Sequence, residues 1–254
     1  METMKPVLLL TGGSQGIGRA VVELFLNRGW RVAFVARDAD GVQRTVEELR
    51  AAGHPEDAVC GRALDVGNLD EVEALPDQLP MLAEGLDALV LNAFYQKIKP
   101  AQDFTREELD QHWRVNNLSP ILLMQACMSR LQKRKGSIVY ISSIMDTRLQ
   151  GGYAAYGASK AYMNCFVKQA AHDFGPLGVR INAVSPGPVR TEALERAFAS
   201  LGTDARRQFD EMLEKTPMEQ RLTEPHEVAE SVWFAVNGPR AIHGSDLRID
   251  GGLY

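Results

Sequence analysis

Apolar residues in this chain come in two arrangements. Short runs, Val7 to Leu10, Arg31 to Ala36, Val59 to Leu64, Ala88 to Leu91, Ser137 to Ile141, Arg180 to Val184 and Asp246 to Ile249, alternate with longer stretches in which apolar positions recur every three or four residues. VLLL, VAFVA and ALVL are continuously apolar, as expected of parallel strands covered on both faces. Ile17 to Asn27, with Ile17, Ala20, Val21, Leu24 and Phe25 on one stripe, and Gly41 to Ala52, with Val42, Val46 and Leu49, predict amphipathic helices. This alternation predicts an α/β fold, one doubly wound parallel sheet with helices on both faces. No repeat, low-complexity tract or Pro/Gly/Ser-rich linker interrupts it, so a single domain over residues 1–254 accounts for the length.

Two stretches carry candidate chemistry. The first strand runs into TGGSQGIG, with glycines at 12, 16 and 18, and a helix opens behind it. Glycines suit a sharp turn, a close approach of backbone to a pyrophosphate and tight helix packing, and the helix N-terminus offers free N–H groups to phosphate. Dinucleotide binding is the expectation. The second stretch is GGYAAYGASKAYMNC, where Lys160 follows Tyr156 by four positions. On a helix the two side chains share a face with Cβ atoms ~6 Å apart. A phenol titrates near ~10, and an ammonium group beside it is expected to pull that value down. Tyr156 and Lys160 could then exchange a proton with a substrate oxygen.

Composition narrows the alternatives. A 45% hydrophobic content supplies a full core, and a formal charge of -5 argues against nucleic-acid or anionic-membrane partners. The basic run Arg130, Lys133, Arg134 and Lys135 reads as a solvated helix end before Gly136. Cys60, Cys127 and Cys165 are scattered and odd in number, and five histidines show no metal-binding spacing, so neither a disulfide framework nor a metal is expected. No signal-peptide or membrane-spanning run is evident, and a soluble cytoplasmic protein is the expectation. Acid pairs such as Glu47-Glu48 and Glu107-Glu108 fall on polar helix faces and read as solvated charge.

The glycines follow TGxxxGxG, and with YxxxK they resemble the short-chain dehydrogenase/reductase family. Further landmarks appear in order: Asp65-Val66 after the third strand, Asn92-Ala93 after the fourth, Asn116 in a helix, Ser142-Ser143 ending the fifth, PGPVRT at 186–191 and Asp250-Gly251-Gly252. The resemblance covers nearly the whole chain and implies a Rossmann fold and nicotinamide-dependent oxidoreduction.

The resemblance assigns roles. Tyr156 is the expected general acid or base, and Lys160, with the positive charge of the oxidised nicotinamide, is expected to lower its pKa and also to bind the nicotinamide ribose hydroxyls. Ser143 would hydrogen-bond the substrate oxygen, and Asn116 a water linking Lys160 to solvent, with Asn117 its competitor. Gly12, Ser14, Gln15, Gly16, Ile17, Gly18, Arg37, Asp65, Val66, Asn92, Ala93, Tyr156, Lys160, Pro186, Gly187, Val189 and Thr191 would contact the cofactor. At the end of the second strand Ala36 stands where NAD enzymes carry a carboxylate, and Arg37 follows. That favours NADP(H) over NAD(H), whereas a shifted turn bringing Asp38 to the ribose would favour the reverse.

Phe94 replaces the last residue of the family's NNAG, so Phe94 and Tyr95 could face the substrate or fill a gap between helices. Met145, Leu149, Gln150, Tyr153 and Pro188 are further expected pocket neighbours, whereas Tyr162 is expected only to pack. Residues 192–216 have the spacing of an amphipathic lid. The expected substrate is a neutral carbonyl or alcohol, and the expected assembly a homodimer or homotetramer. Two readings remain beside it: a reductase of a C=N bond, as in a pterin, and a catalytically silent cofactor-sensing protein. Retention of Asn116, Ser143, Tyr156 and Lys160 weighs against the latter.

Overall fold

The computed structural model describes residues 5–192, 194–195, 207, 210–211, 213–214, 217–218 and 220–253. Strands β1 (Val7–Thr11), β2 (Arg31–Ala36), β3 (Val59–Ala63), β4 (Ala88–Leu91), β5 (Ser137–Ile141), β6 (Arg180–Pro186) and β7 (Asp246–Ile249) form one sheet in the order β3-β2-β1-β4-β5-β6-β7. Every pairing is parallel. Between the strands run α1 (Gly16–Asn27), α2 (Ala39–Ala51), α3 (Leu69–Ala74), α4 (Arg106–Trp113), α5 (Ser119–Arg134), α6 (Ala154–Phe174) and α7 (Pro225–Asn237). The doubly wound sheet predicted from the apolar runs is the observed one. Strand β6 continues past the expected Val184 to Pro186, because its last residues pair with β7 through Ser185 opposite Arg248 and Pro186 opposite Ile249.

Alternation along the strands divides the core. Leu8 and Leu10 face one side, with Phe25, Phe34 and Val232, while Val7 and Leu9 face the other, with Leu123, Met124 and Val167. Truncating such a leucine to alanine costs about 2–5 kcal/mol. Helix ends are set locally. The Asp38 carboxylate accepts the Gly41 N–H at the start of α2, and Thr105 with Glu108 forms a capping box on α4. Helix α5 ends at Lys135 in a left-handed conformation, just before Gly136.

The sheet places the site. Strand β1 pairs with β2 on one side and β4 on the other, so the chain reverses its direction of winding there. A crevice opens beyond the carboxyl ends of strands at such a point. The glycine loop, Asn92, Ser143 and PGPVRT all follow strand ends on that edge. No helix among the described residues is long and apolar enough to cross a membrane. The lid expected over residues 192–216 lies mostly outside the described residues.

Candidate active site

The glycine loop is shaped by contacts a side chain would destroy. Gly12 has a φ of +77°, and a Cβ on Gly18 would lie 1.9 Å from the Gly12 carbonyl oxygen. Backbone therefore meets backbone where α1 begins, and no side chain caps that helix. Asn92 braces the loop from β4, its amide donating to the carbonyls of Thr11 at 3.1 Å and Gly12 at 3.0 Å. Thr11 Oγ1 in turn accepts the backbone N–H groups of Asn92 and Ala93. Thr191 lies against the other side, its Cγ2 3.1 Å from where a Gly16 Cβ would be. Gly187 donates to Ile249, and Val189 bridges Thr223, which holds PGPVRT beside the sheet edge.

At the end of β2 Arg37 and Asp38 are both exposed but differ in their contacts. Asp38 caps α2 at 3.1 Å and lies 3.8 Å from Arg44. Its carboxylate is thereby turned into α2. Asp65 similarly closes its own turn, accepting from Gly67 at 2.8 Å, with Val66 half-buried beside it.

Ser143, Tyr156 and Lys160 converge across β5 and α6. A hydrogen bond joins Ser143 to the Tyr156 phenol. Ser143 Oγ also accepts the Met145 N–H at 3.2 Å. Lys160 Nζ is buried and donates to the Ile141 carbonyl at 2.8 Å. The rings of Tyr140, Tyr156 and Phe94 surround this ammonium at 4.7, 5.6 and 5.7 Å. Burial pushes Lys160 down to about 7.

The expected lowering of the Tyr156 pKa needs Lys160 together with the positive charge of the oxidised nicotinamide, and in the protein alone burial is the largest influence on the phenol. Burial raises the phenol above its ordinary value, opposed by the Ser143 hydrogen bond. The physical reason is shared desolvation: a dry pocket disfavours both the phenolate and the ammonium.

Asn116 lies in a wide π turn, Arg114–Leu118, between α4 and α5. Such turns reorient side chains within a helix. Its side chain clamps Tyr95, accepting the backbone N–H at 2.7 Å and donating to the carbonyl at 2.9 Å, and it also donates to Ser159. Asn117 instead donates to the Ser159 carbonyl. The clamp fixes Phe94, whose ring stands edge-on to Tyr156 at 6.0 Å and is 53% exposed. Phe94 thus faces the Tyr156 phenol, whereas Tyr95 turns onto His112 at 4.7 Å. A groove of about 1150 Å³ runs outward from Tyr153, with Met145, Leu149, Gln150 and Ile98 in its walls. Phe94 and Pro188, expected as pocket neighbours, do not line it. Tyr162 packs edge-on against Trp113, as expected.

Sequence reasoning passed over Tyr140. It reads as one more residue of a buried strand, yet its ring lies under Lys160 and its hydroxyl donates to the Asn116 carbonyl at 3.4 Å. The only signal was a polar hydroxyl inside an otherwise apolar run.

A doubly wound sheet with a glycine-braced crevice and a Ser-Tyr-Lys group beside it defines a class, the nucleotide-dependent oxidoreductases with this fold. Residues 12–254 match a family model described as enoyl-(acyl carrier protein) reductase. Cyclopentanol dehydrogenase of Comamonas sp. is 33% identical over 252 residues, covering 97% of this chain and 96% of its own. A 3-oxoacyl-[acyl-carrier-protein] reductase of Vibrio cholerae is 31% identical, over 98% of this chain and 97% of its own. The NADPH-bound structure of a short-chain oxidoreductase from Pseudomonas aeruginosa superposes with a TM-score of 0.88 at 28% identity, covering 98% and 96%. The chain belongs to the short-chain dehydrogenase/reductase family.

Proposed function

We propose that the protein is an NADP(H)-dependent oxidoreductase that interconverts a neutral carbonyl compound and its alcohol. The observation that carries the reading is the convergence of Ser143, Tyr156 and Lys160 beside the glycine-braced crevice. Gly12, Ser14, Gln15, Gly16, Ile17 and Gly18 with the N-terminus of α1 would receive the pyrophosphate. Asp65, Val66 and Ala93 would flank the adenosine half, Pro186, Gly187, Val189 and Thr191 the nicotinamide half. The cradle fits, since a Cβ at position 18 would fill the closest approach of its backbone. The bound cofactor supplies or accepts the hydride.

The chain's own groups manage the proton. A phenol held protonated by burial is suited to donate to a carbonyl oxygen as charge develops there. The Ser143 hydroxyl would share that charge. Lys160, near neutrality in charge state at about 7, would return a proton to Tyr156 between turnovers. Asn116 supports the group by holding Tyr95, and hence Phe94, in place. Arg37, exposed while Asp38 is engaged in α2, would meet a 2'-phosphate. Relatives named as a cyclic-alcohol dehydrogenase and as a ketoacyl reductase accord with carbonyl chemistry.

The test is Tyr156→Phe with turnover and cofactor binding measured separately. Wild type should oxidise NADPH with ketones or aldehydes from a panel and bind NADPH at least about tenfold, ~1.4 kcal/mol, more tightly than NADH by calorimetry. The variant should lose about 10²–10⁴ in kcat and keep NADPH affinity. An active phenylalanine variant would reject the role of Tyr156.

A further inference from the structure

Beside the reacting groups lies a polar knot that no part of the proposed chemistry uses. Asn164 is two turns beyond Tyr156 on α6 and 4% exposed. Its Nδ2 donates to Asp146 Oδ2 at 2.6 Å and reaches Asp246 Oδ2 at 3.4 Å and Ser185 Oγ at 3.5 Å. Ser185 Oγ donates to the other Asp246 oxygen at 2.5 Å. Arg248 closes the group from β7, with Nη2 3.4 Å from Asp146 Oδ1 and Nε 3.9 Å from Asp246 Oδ2. Thr147 donates to Asp146 and accepts from Arg248.

The orientation of Asn164 is forced. Turned the other way, its carbonyl oxygen would face two carboxylates; as it stands, Oδ1 has no partner among the described residues. A buried acceptor left unpaired costs about 1–3 kcal/mol, so the donor side must return more. Two carboxylates sharing one guanidinium need a neutral double donor between them, and an amide supplies it without further charge. The groups facing position 164 are Asp146 from the loop after β5, Asp246 and, through these carboxylates, Arg248 from β7, and Ser185 from β6.

The location gives the knot its consequence. Asp146 ends the short turn Ile144–Asp146 that begins at Ser143, and its N–H bonds the Ser143 carbonyl at 3.1 Å. Only a residue without a side chain fits where this segment crosses α6, since a Cβ on Gly157 would lie 2.7 Å from the Met145 carbonyl oxygen. We propose that Asn164 and Asp146 are positioning residues that hold the Ser143 hydroxyl against Tyr156 by locking residues 143–148 onto α6 and the edge strand β7. This rests on the reading of Ser143 and Tyr156 as the reacting pair. A displacement of ~1 Å at such a pair costs about a hundredfold in rate.

Asn164→Asp tests the lock, because the substitute donates only when protonated. At about pH 8 three carboxylates repel; near pH 5 the added acid is protonated and donates to Asp146 again. Hydrogen exchange is one readout and needs no substrate. Amides 145–149 should lose at least tenfold in protection at the higher pH and regain it at the lower, with the sheet unchanged. Turnover of NADPH with the best ketone of the panel is the other. Relative to wild type at the same pH, kcat should fall about ten- to hundredfold at the higher pH and approach wild type at the lower, with KM for NADPH unchanged. Should Asn164→Asp fail to fold, Asp146→Ala opens the same bond without adding charge and should lose kcat at every pH. Unchanged protection in the variants overturns the proposal, as does lost protection with unchanged kcat. Wild type inert toward every carbonyl would instead reject the oxidoreductase reading, and the positioning role with it.

Discussion

At the scale of the residue, the dry surroundings of Lys160 set the energetics of the site. Three aromatic rings and one carbonyl oxygen enclose its ammonium, and burial lowers its pKa from 10.5 to about 7. A lysine whose folded pKa is depressed destabilises the fold wherever the unfolded chain is protonated and the native site resists the proton. Below about pH 7 both states carry the proton and the penalty is complete; between about 7 and 10.5 the unfolded state binds more protons, so stability rises with pH; above that the penalty is gone. Wild type should therefore gain thermal stability relative to Lys160→Met as pH rises from 7 to 10. Parallel melting curves across that range would show that the ammonium is solvated and the pocket wetter than its geometry indicates. The same desolvation raises Tyr156, so the two groups are tuned in opposite directions, the phenol to keep its proton and the amine to release one.

Elements explain which parts of this arrangement the sequence disclosed. The spans of β2, β4 and β5 were legible as predicted, because burial on both faces leaves little room for polar alternation. The glycine loop and the Tyr156–Lys160 pair were legible because each lies within a few residues of sequence. The knot around Asn164 was not, since its members approach from 18 and 82 positions away and none carries a local pattern. Nor could the sequence tell that the Asp38 carboxylate, exposed like Arg37, caps α2.

That cap yields its own prediction. Arg37→Ala should weaken NADPH binding far more than NADH binding, and equal weakening of both would place the arginine elsewhere. Asp38→Ala should remove a helix cap worth about 1 kcal/mol in stability while leaving the preference between the two cofactors unchanged. A preference that shifted with Asp38 would mean that its carboxylate reaches the ribose.

At the scale of the whole molecule, helices α4 and α6 present an apolar face to solvent. Leu109 and Trp113 on α4 and Tyr162 on α6 are each more than 40% exposed, with Trp113 and Tyr162 edge-to-face at 5.0 Å and Phe166 stacked behind. Rigid aromatic groups on an exposed helix pair are the composition of an interface centre rather than of a solvated surface. The homodimer or homotetramer expected from the resemblance would cover this face, and Asn116 and Tyr156 are buried within the same helical layer. Association would then stiffen α6 and the clamp on Tyr95 that positions Phe94. Trp113→Glu places an unpaired carboxylate at the centre of that face, where desolvation disfavours association by several-fold to a hundredfold. Sedimentation should show wild type as a dimer or tetramer and the variant shifted toward monomer, with kcat falling in step with dissociation. A monomeric wild type would remove the assembly from the mechanism, and an associated variant would place the contact on another face.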